Sequence, residues 1–262
     1  MLAEERKKKI VDMVNKNRYV KLSDLSRELK ITDATIRRDL TELDEKHLIK
    51  RVHGGAESLT EQLSGDFKQD NFSICKAERE MIAQTAYKYI DSYDSILLDG
   101  SSTVYELAKI IAKGEKTGLS IITNAFDIAS ILALRNDFTV IHTGGKVTSP
   151  VDHCYGIIAE KNILDTRVDK GFFGTVGVDP TYGYSIDSFE VAATKMCMLR
   201  SCKHTFVLAD HTKIGLTYMA KFANFSGDVD TLITDSLPAG FTAEQFNSCV
   251  NLIIAQEKPA KK

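Results

Sequence analysis

The sequence lacks tryptophan, a Cys-x-x-Cys pair, internal repeats and long apolar runs. The missing tryptophan excludes nothing. No stretch approaches the roughly 20 apolar residues that a membrane-spanning helix needs, so no membrane partner is expected. The opening residues, Met1 to Arg6, are charged and hold no apolar signal core, which points to a cytoplasmic chain. Five cysteines, at positions 75, 154, 197, 202 and 249, are an odd number without metal-ligand spacing. They read as reduced thiols filling core space rather than as a disulfide frame, a metal site or nucleophiles. Low complexity is confined to the tail, Lys258 to Lys262.

What is present is an ordinary globular mixture. Of 262 residues, 43% are hydrophobic and 27% charged, enough for a sizeable core and too apolar for a disordered chain. The length suits one large domain or two smaller ones. The net charge of −2 conceals an asymmetry: residues 1–56 carry 14 Lys and Arg against 10 Asp and Glu, and the rest carry 20 against 26. A basic head on an acidic body fits a head that meets an anion such as nucleic acid, although random scatter of charge accounts for it equally.

In the head, Ile10, Val11 and Val14 predict a helix within Lys8–Asn17. Leu22, Leu25 and Leu29 predict a second over 22–29, and Ile36, Leu40 and Leu43 a third over 33–46. Thr32 suits the N-cap of the third, with Thr35 three residues on. Two short helices joined by so tight a turn make a helix-turn-helix. On the third helix Ala34, Arg38 and Thr41 lie opposite the apolar stripe, flanked by Thr35 and Arg37. Small side chains let a helix approach base edges, Arg bonds guanine bidentately or holds phosphate, and a helix N-terminus favours phosphate. The same residues also suit a plain solvated helix with an Arg38–Glu42 pair at i, i+4. Leu48 to Val52 alternates as a strand, and His53-Gly54-Gly55-Ala56 turns away from it. That predicts a wing, with Arg51 and His53 touching phosphate or the minor groove. The DNA-binding candidates are therefore Thr32, Ala34, Thr35, Arg37, Arg38, Thr41, Arg51 and His53.

Two segments carry a family likeness. Leu25 to Leu29, Ile31 to Leu40 (with Thr35-Ile36-Arg37-Arg38-Asp39-Leu40) and Leu48 to Ala56 (with Arg51-Val52-His53-Gly54-Gly55-Ala56) resemble the N-terminal signature of the DeoR family. These are bacterial transcription regulators of sugar and nucleoside metabolism. The chain departs from the pattern at Thr32, where Ser is usual, at His47, where Gly is usual, and at Lys21, where Ser or Thr often caps the second helix.

Residues 57–71 are polar and weakly patterned and predict a linker, leaving a winged helix-turn-helix at 1–56 and a body at 72–257. Along the body, helices are predicted over 76–90, 104–111, 126–135 and 190–200. Strands are predicted at 95–99, 119–123, 138–142, 171–177, 205–209, 229–234 and 250–255. Such alternation predicts an α/β fold with a mostly parallel sheet covered on both faces. Ligands of such sheets bind beyond the carboxyl ends of the strands. There the sequence places Asp99, Ser101, Ser102, Thr103, Thr123, Asn124, Gly144, Gly145, Asp210 and Lys213. The Gly100-Ser101-Ser102-Thr103 turn offers backbone N–H groups and hydroxyls to a phosphate, or is simply a helix cap. It is neither a Walker A loop nor a dinucleotide fingerprint, so no ATP or NAD, and no other cofactor, is expected.

The body also resembles the effector domain of the same family, which has a fold like that of ribose-5-phosphate isomerase. The likeness lies in Asp99 to Thr103, Thr123-Asn124, Thr143 to Gly145, Gly174 to Gly177, Lys195 and Leu208 to Lys213. It implies that Ser101, Ser102 and Thr103 grip a phosphate, that Asp99 and Asn124 bond sugar hydroxyls, and that Lys195 and Lys213 supply positive charge. Lys195 could equally be a solvent-facing helix lysine. Val176 stands where many relatives carry Asp, and valine moves no proton. The expectation is a non-enzymatic repressor of a carbohydrate operon, with operator DNA and a phosphorylated sugar as partners and a homo-oligomer, dimer or tetramer, as the assembly. A sugar-phosphate isomerase with an incidental N-terminal module is the alternative, and non-specific DNA association without sensing is a third.

Overall fold

The computed structural model describes the chain except residues 1–5, 8, 12, 15–18, 46–48, 53, 58–74, 149–152, 248 and 257–262. It divides into two compact units, residues 1–70 and 71–262. The predicted linker falls almost wholly outside the described residues, but Glu57, counted with it, ends a strand.

The smaller unit opens with helical residues between 6 and 14 (α1). Strand β1 (Tyr19–Lys21), α2 (Leu22–Leu29), α3 (Asp33–Glu45), β2 (Lys50–Val52) and β3 (Gly55–Glu57) follow. The core is the apolar set that the periodicity picks out: Ile10, Val14, Leu25, Ile36, Leu40 and Leu43, with Val20, Ile49 and Ala56. Lys30 ends α2 in the left-handed region (φ 54°), and Ser26 closes the turn through Ile31 N–H and C=O. Lys21, which has no side-chain acceptor, stands at the N-cap of α2 in extended backbone. Two corrections follow. Gly55 and Ala56 continue into β3 rather than turning away. The wing is three-stranded, because β1 pairs antiparallel with β3 on the side opposite β2.

The larger unit contains α4 (Lys76–Tyr87), β4 (Ser95–Leu98), α5 (Ser102–Lys113), β5 (Ser120–Thr123), α6 (Phe126–Leu132), β6 (Thr139–His142), β7 (Lys146–Thr148) and β8 (His153–Tyr155). It continues with α7 (Ile157–Leu164), β9 (Val168–Gly174), β10 (Gly177–Asp179), β11 (Gly183–Ile186), α8 (Phe189–Arg200), β12 (Cys202–Leu208), β13 (Ala220–Ala223), β14 (Thr231–Thr234), α9 (Ala243–Asn247) and β15 (Asn251–Ile254). Seven strands form a parallel sheet in the order β15-β14-β12-β9-β4-β5-β6.

Alternating side chains feed two cores, as a sheet covered on both faces requires. Ile96, Leu98, Ile121, Phe172 and Phe206 face α4, α5 and α6. Leu97, Ile122, Phe173, Val207 and Leu232 face α7, α8 and the small β10-β11-β13 sheet. Among the described residues no helix is long and apolar enough to cross a membrane. Each element predicted in the body is present, with ends moved by up to three residues. The β7–β8 hairpin, α7, β10, β11, β13 and α9 add to them.

Candidate DNA-reading face and effector site

The smaller unit presents α3 with Thr32, Ala34, Arg37 and Arg38 exposed and Thr35 and Thr41 half-buried. Thr32 and Thr35 join hydroxyl to hydroxyl at 3.0 Å at the helix start. Arg38 reaches Glu42 at 3.2 Å across one turn, with its side chain 82% exposed. Such a pair is weak, so the guanidinium is free to exchange its partner for a base or a phosphate. Thr41 Oγ1 donates to the Arg37 carbonyl, and Arg51 on β2 donates to Thr41 Oγ1 at 2.8 Å. Wing and helix therefore present their cations from one connected surface. His53 lies outside the described residues. The sequence reading missed Asp39: it is buried, and Arg6 grips it bidentately at 2.5 and 2.9 Å. That grip anchors the back of α3 to α1 while the front stays open.

In the larger unit, β5 and β6 leave β4 on one side, and β9, β12, β14 and β15 on the other. Their crevice, beyond Leu98 and Gly174, is where ligands of open parallel sheets bind. Asp99 is buried there. It accepts from Ser101 N–H and Gly174 N–H, both at 2.9 Å. Lys195 reaches in from α8, pairs with Asp99 and donates to the Gly174 carbonyl at 2.9 Å. Lys195 is 6% exposed, so it is not a solvent-facing lysine. Both carboxylate oxygens are engaged and the two charges offset each other. The pair thus holds β4, β9 and α8 in register around the crevice.

Ser101 caps α5 in extended backbone, and its Cβ lies where a side chain at Gly174 would have to go. The first N–H groups of α5, at Ser102, Thr103 and Val104, lack intrahelical partners by helix geometry and point out of the helix start. Among the described residues, Ser101 Oγ and Asn124 Oδ1 are buried without a hydrogen-bond partner. Asn124, 2% exposed, uses its amide nitrogen to hold the Cys154 carbonyl at 3.0 Å. Thr123 Oγ1 accepts from Ala125 N–H. Gly144 and Gly145 follow β6 with positive φ (64° and 122°). Gly144 donates to His142 Nδ1 at 3.1 Å, and that ring stacks on Phe126. Burial pushes the His142 pKa down.

Asp210 follows β12, two strands from β4 and so on the order of 10 Å across the sheet. It is buried, accepting from Thr212 N–H and hydroxyl, while Lys213 is half-buried. His211 beside it pairs with Asp235 at 2.7 Å. The hollows of about 720 and 290 Å³ around Asp230 open at the amino ends of β12 and β14, the end from which parallel sheets do not recruit ligands.

Residues 6–62 match the model of the DeoR-like helix-turn-helix domain, and residues 74–236 match that of the DeoR C-terminal sensor domain. The chain belongs to the DeoR family. It is a DNA-binding transcriptional regulator with a sensor domain behind its winged helix. The HTH-type transcriptional regulator YulB of Bacillus subtilis strain 168 is 35% identical over 236 residues, 90% of each chain. The lactose phosphotransferase system repressor of Streptococcus mutans is 32% identical over 90% of this chain and 93% of its own. The glycerol-3-phosphate regulon repressor of Escherichia coli K12 is 28% identical over 91% and 93%. A D-ribose-5-phosphate isomerase shares 17% identity over 53% of this DeoR-family chain and 54% of its own at a TM-score of 0.37, too slight a likeness to define the fold.

Proposed function

We propose that this DeoR-family chain represses a carbohydrate operon. A phosphorylated sugar, bound beyond the carboxyl ends of β4, β5 and β9, shifts it between DNA-competent and DNA-incompetent arrangements. The observation that carries the sensor half is the Gly100–Thr103 turn at the crevice. The start of a 12-residue helix, flanked by three hydroxyls of which Ser101 Oγ is buried without a partner, suits a dianionic phosphate. Asn124, Gly144 and Gly145 border it as candidate hydroxyl contacts, and Asp99 with Lys195 holds the frame. In the head, Thr32, Ala34, Thr35, Arg37, Arg38, Thr41 and Arg51 are the proposed DNA contacts. The regulon names of the relatives lean the same way.

The sensor works without chemistry of its own in this reading. Val176, at the crevice edge, gives no proton-transfer group where an isomerase would need one. A cytoplasmic homo-oligomer, dimer or tetramer, is the proposed working form, since two linked heads reading two half-sites multiply affinity. The test is a titration of the protein against its own upstream DNA and a scrambled duplex, with and without a panel of sugar phosphates. Specific binding relieved or strengthened by one sugar phosphate supports the reading. Equal binding to both duplexes overturns the regulator half. Indifference to the whole panel overturns the sensor half.

A further inference from the structure

The hairpin strand β8 lies across the end of β5. Ala125 and His153 form an antiparallel bridge, Cys154 N–H donates to the Asn124 carbonyl at 2.8 Å, and Asn124 returns its amide to Cys154. Side chains alternate along a strand, so His153 and Tyr155 share one face and Cys154 takes the other. That face looks onto the phosphate turn. A Cβ built on Gly100 would come within 2.2 Å of His153 Nε2, so the imidazole rests directly on the Gly100 backbone. Tyr155 Oη and His153 Nδ1 lie 3.1 Å apart, and both residues are buried. Burial, then the charges of Asp99, Asp187 and Glu190, hold the Tyr155 phenol protonated far above neutrality. In the tautomer in which the phenol donates to Nδ1, the His153 proton sits on Nε2, the atom beside the turn.

We propose that His153 and Tyr155 form the second wall of the effector site: His153 donates to the phosphate of a sugar phosphate held at Gly100–Thr103, and Tyr155 reads the hydroxyls next to it. The inference rests on the sensor reading above and deepens it. The helix start and hydroxyls of the turn approach the phosphate from one side only. A strand that crosses the sheet end supplies donors from the other. Neither residue belongs to a strand or loop of the main sheet, so neither is reached by counting strand ends.

The test measures binding of inorganic phosphate, glucose 6-phosphate, fructose 6-phosphate and glycerol 3-phosphate to the full chain by calorimetry. Circular dichroism checks that each variant is folded. His153→Gln is expected to weaken every ligand that binds wild type by about tenfold, the worth of one hydrogen bond to a charged group. Tyr155→Phe is expected to weaken the sugar phosphates more than inorganic phosphate. Gly100→Ala needs no unusual backbone conformation, and its methyl would displace the imidazole. It is therefore expected to match His153→Gln, with the two effects not adding in the double variant. If His153→Gln fails to fold, Gly100→Ala and Tyr155→Phe carry the test. Wild-type affinity in these variants, while Ser102→Ala binds weakly, would overturn the second wall and leave the sensor reading standing. If none of the four ligands binds wild type, both fall together.

Discussion

At the scale of single residues, two buried carboxylates, Asp99 and Asp39, are each held by one cation. Lys195 is expected to matter through Asp99 rather than through a ligand. Lys195→Met leaves a buried carboxylate with only N–H partners, which should cost about 3 kcal/mol in a urea melt. Adding Asp99→Asn removes the stranded charge and should recover part of that loss. No recovery would mean that the lysine acts mainly by packing against Phe222, whose ring it overlies. Asp39 is the corresponding residue of the head. Its carboxylate would be read as surface charge in the run Arg37-Arg38-Asp39, yet it faces inward to Arg6. Asp39→Ala should cost about 2 kcal/mol, seen as early melting of the head with loss of DNA binding. Arg38, on the open face, should behave differently. Arg38→Ala is expected to leave melting unchanged and to cost about 1–3 kcal/mol of operator affinity, with relaxed sequence preference if it reads a base. Equal weakening on operator and scrambled DNA would make it a phosphate contact.

Among the elements, the wing is the most exacting. Gly55 lies in β3 between two partners, and a Cβ there would stand 2.2 Å from the Val20 carbonyl. Backbone cannot yield as a flexible side chain does, so Gly55→Ala should unpair β1. The expected cost is about 2 kcal/mol, confined to the head and visible as weakened DNA binding while the body melts normally. The three helices and the wing strand were legible because each repeats apolar residues at its own period. β1 was not: three residues are too few to carry a period, and their pairing is made by residues 34 to 38 positions away. The same holds in the body. β4, β5 and the carboxyl halves of β9 and β12 are buried apolar runs and announce themselves. β7, β8, β10 and β11 have three or four residues each, and their hydrogen bonds decide them. The site shares this division. The turn at Gly100–Thr103 could be read from its hydroxyls, whereas the inward orientation of Asp99 and Lys195, and the approach of His153 to Gly100, arise from tertiary packing that no local pattern encodes.

For the molecule as a whole, charge links folding and function. At the amino ends of β4 and β9, Lys203 and then the Ser95 hydroxyl and N–H hold the Asp169 carboxyl far below the usual range. A carboxyl whose folded pKa is depressed adds stability above its unfolded value and loses it as pH falls toward the folded one. The stability lead of wild type over Asp169→Asn should therefore be full at neutral pH and shrink below about pH 4. A lead that persists unchanged into acid would assign it to hydrogen-bond geometry alone. The larger asymmetry, between a basic head and an acidic body, bears on DNA. An acidic body adds no phosphate contacts and disfavours lying on the duplex, so counterion release should come from the heads alone. If two copies read two half-sites, each head contributes its own phosphates. The slope of log affinity against log salt on the full operator should then be about twice that on a single half-site. Equal slopes would mean that one head carries the binding, and the gain from linking two heads would have no place in the mechanism.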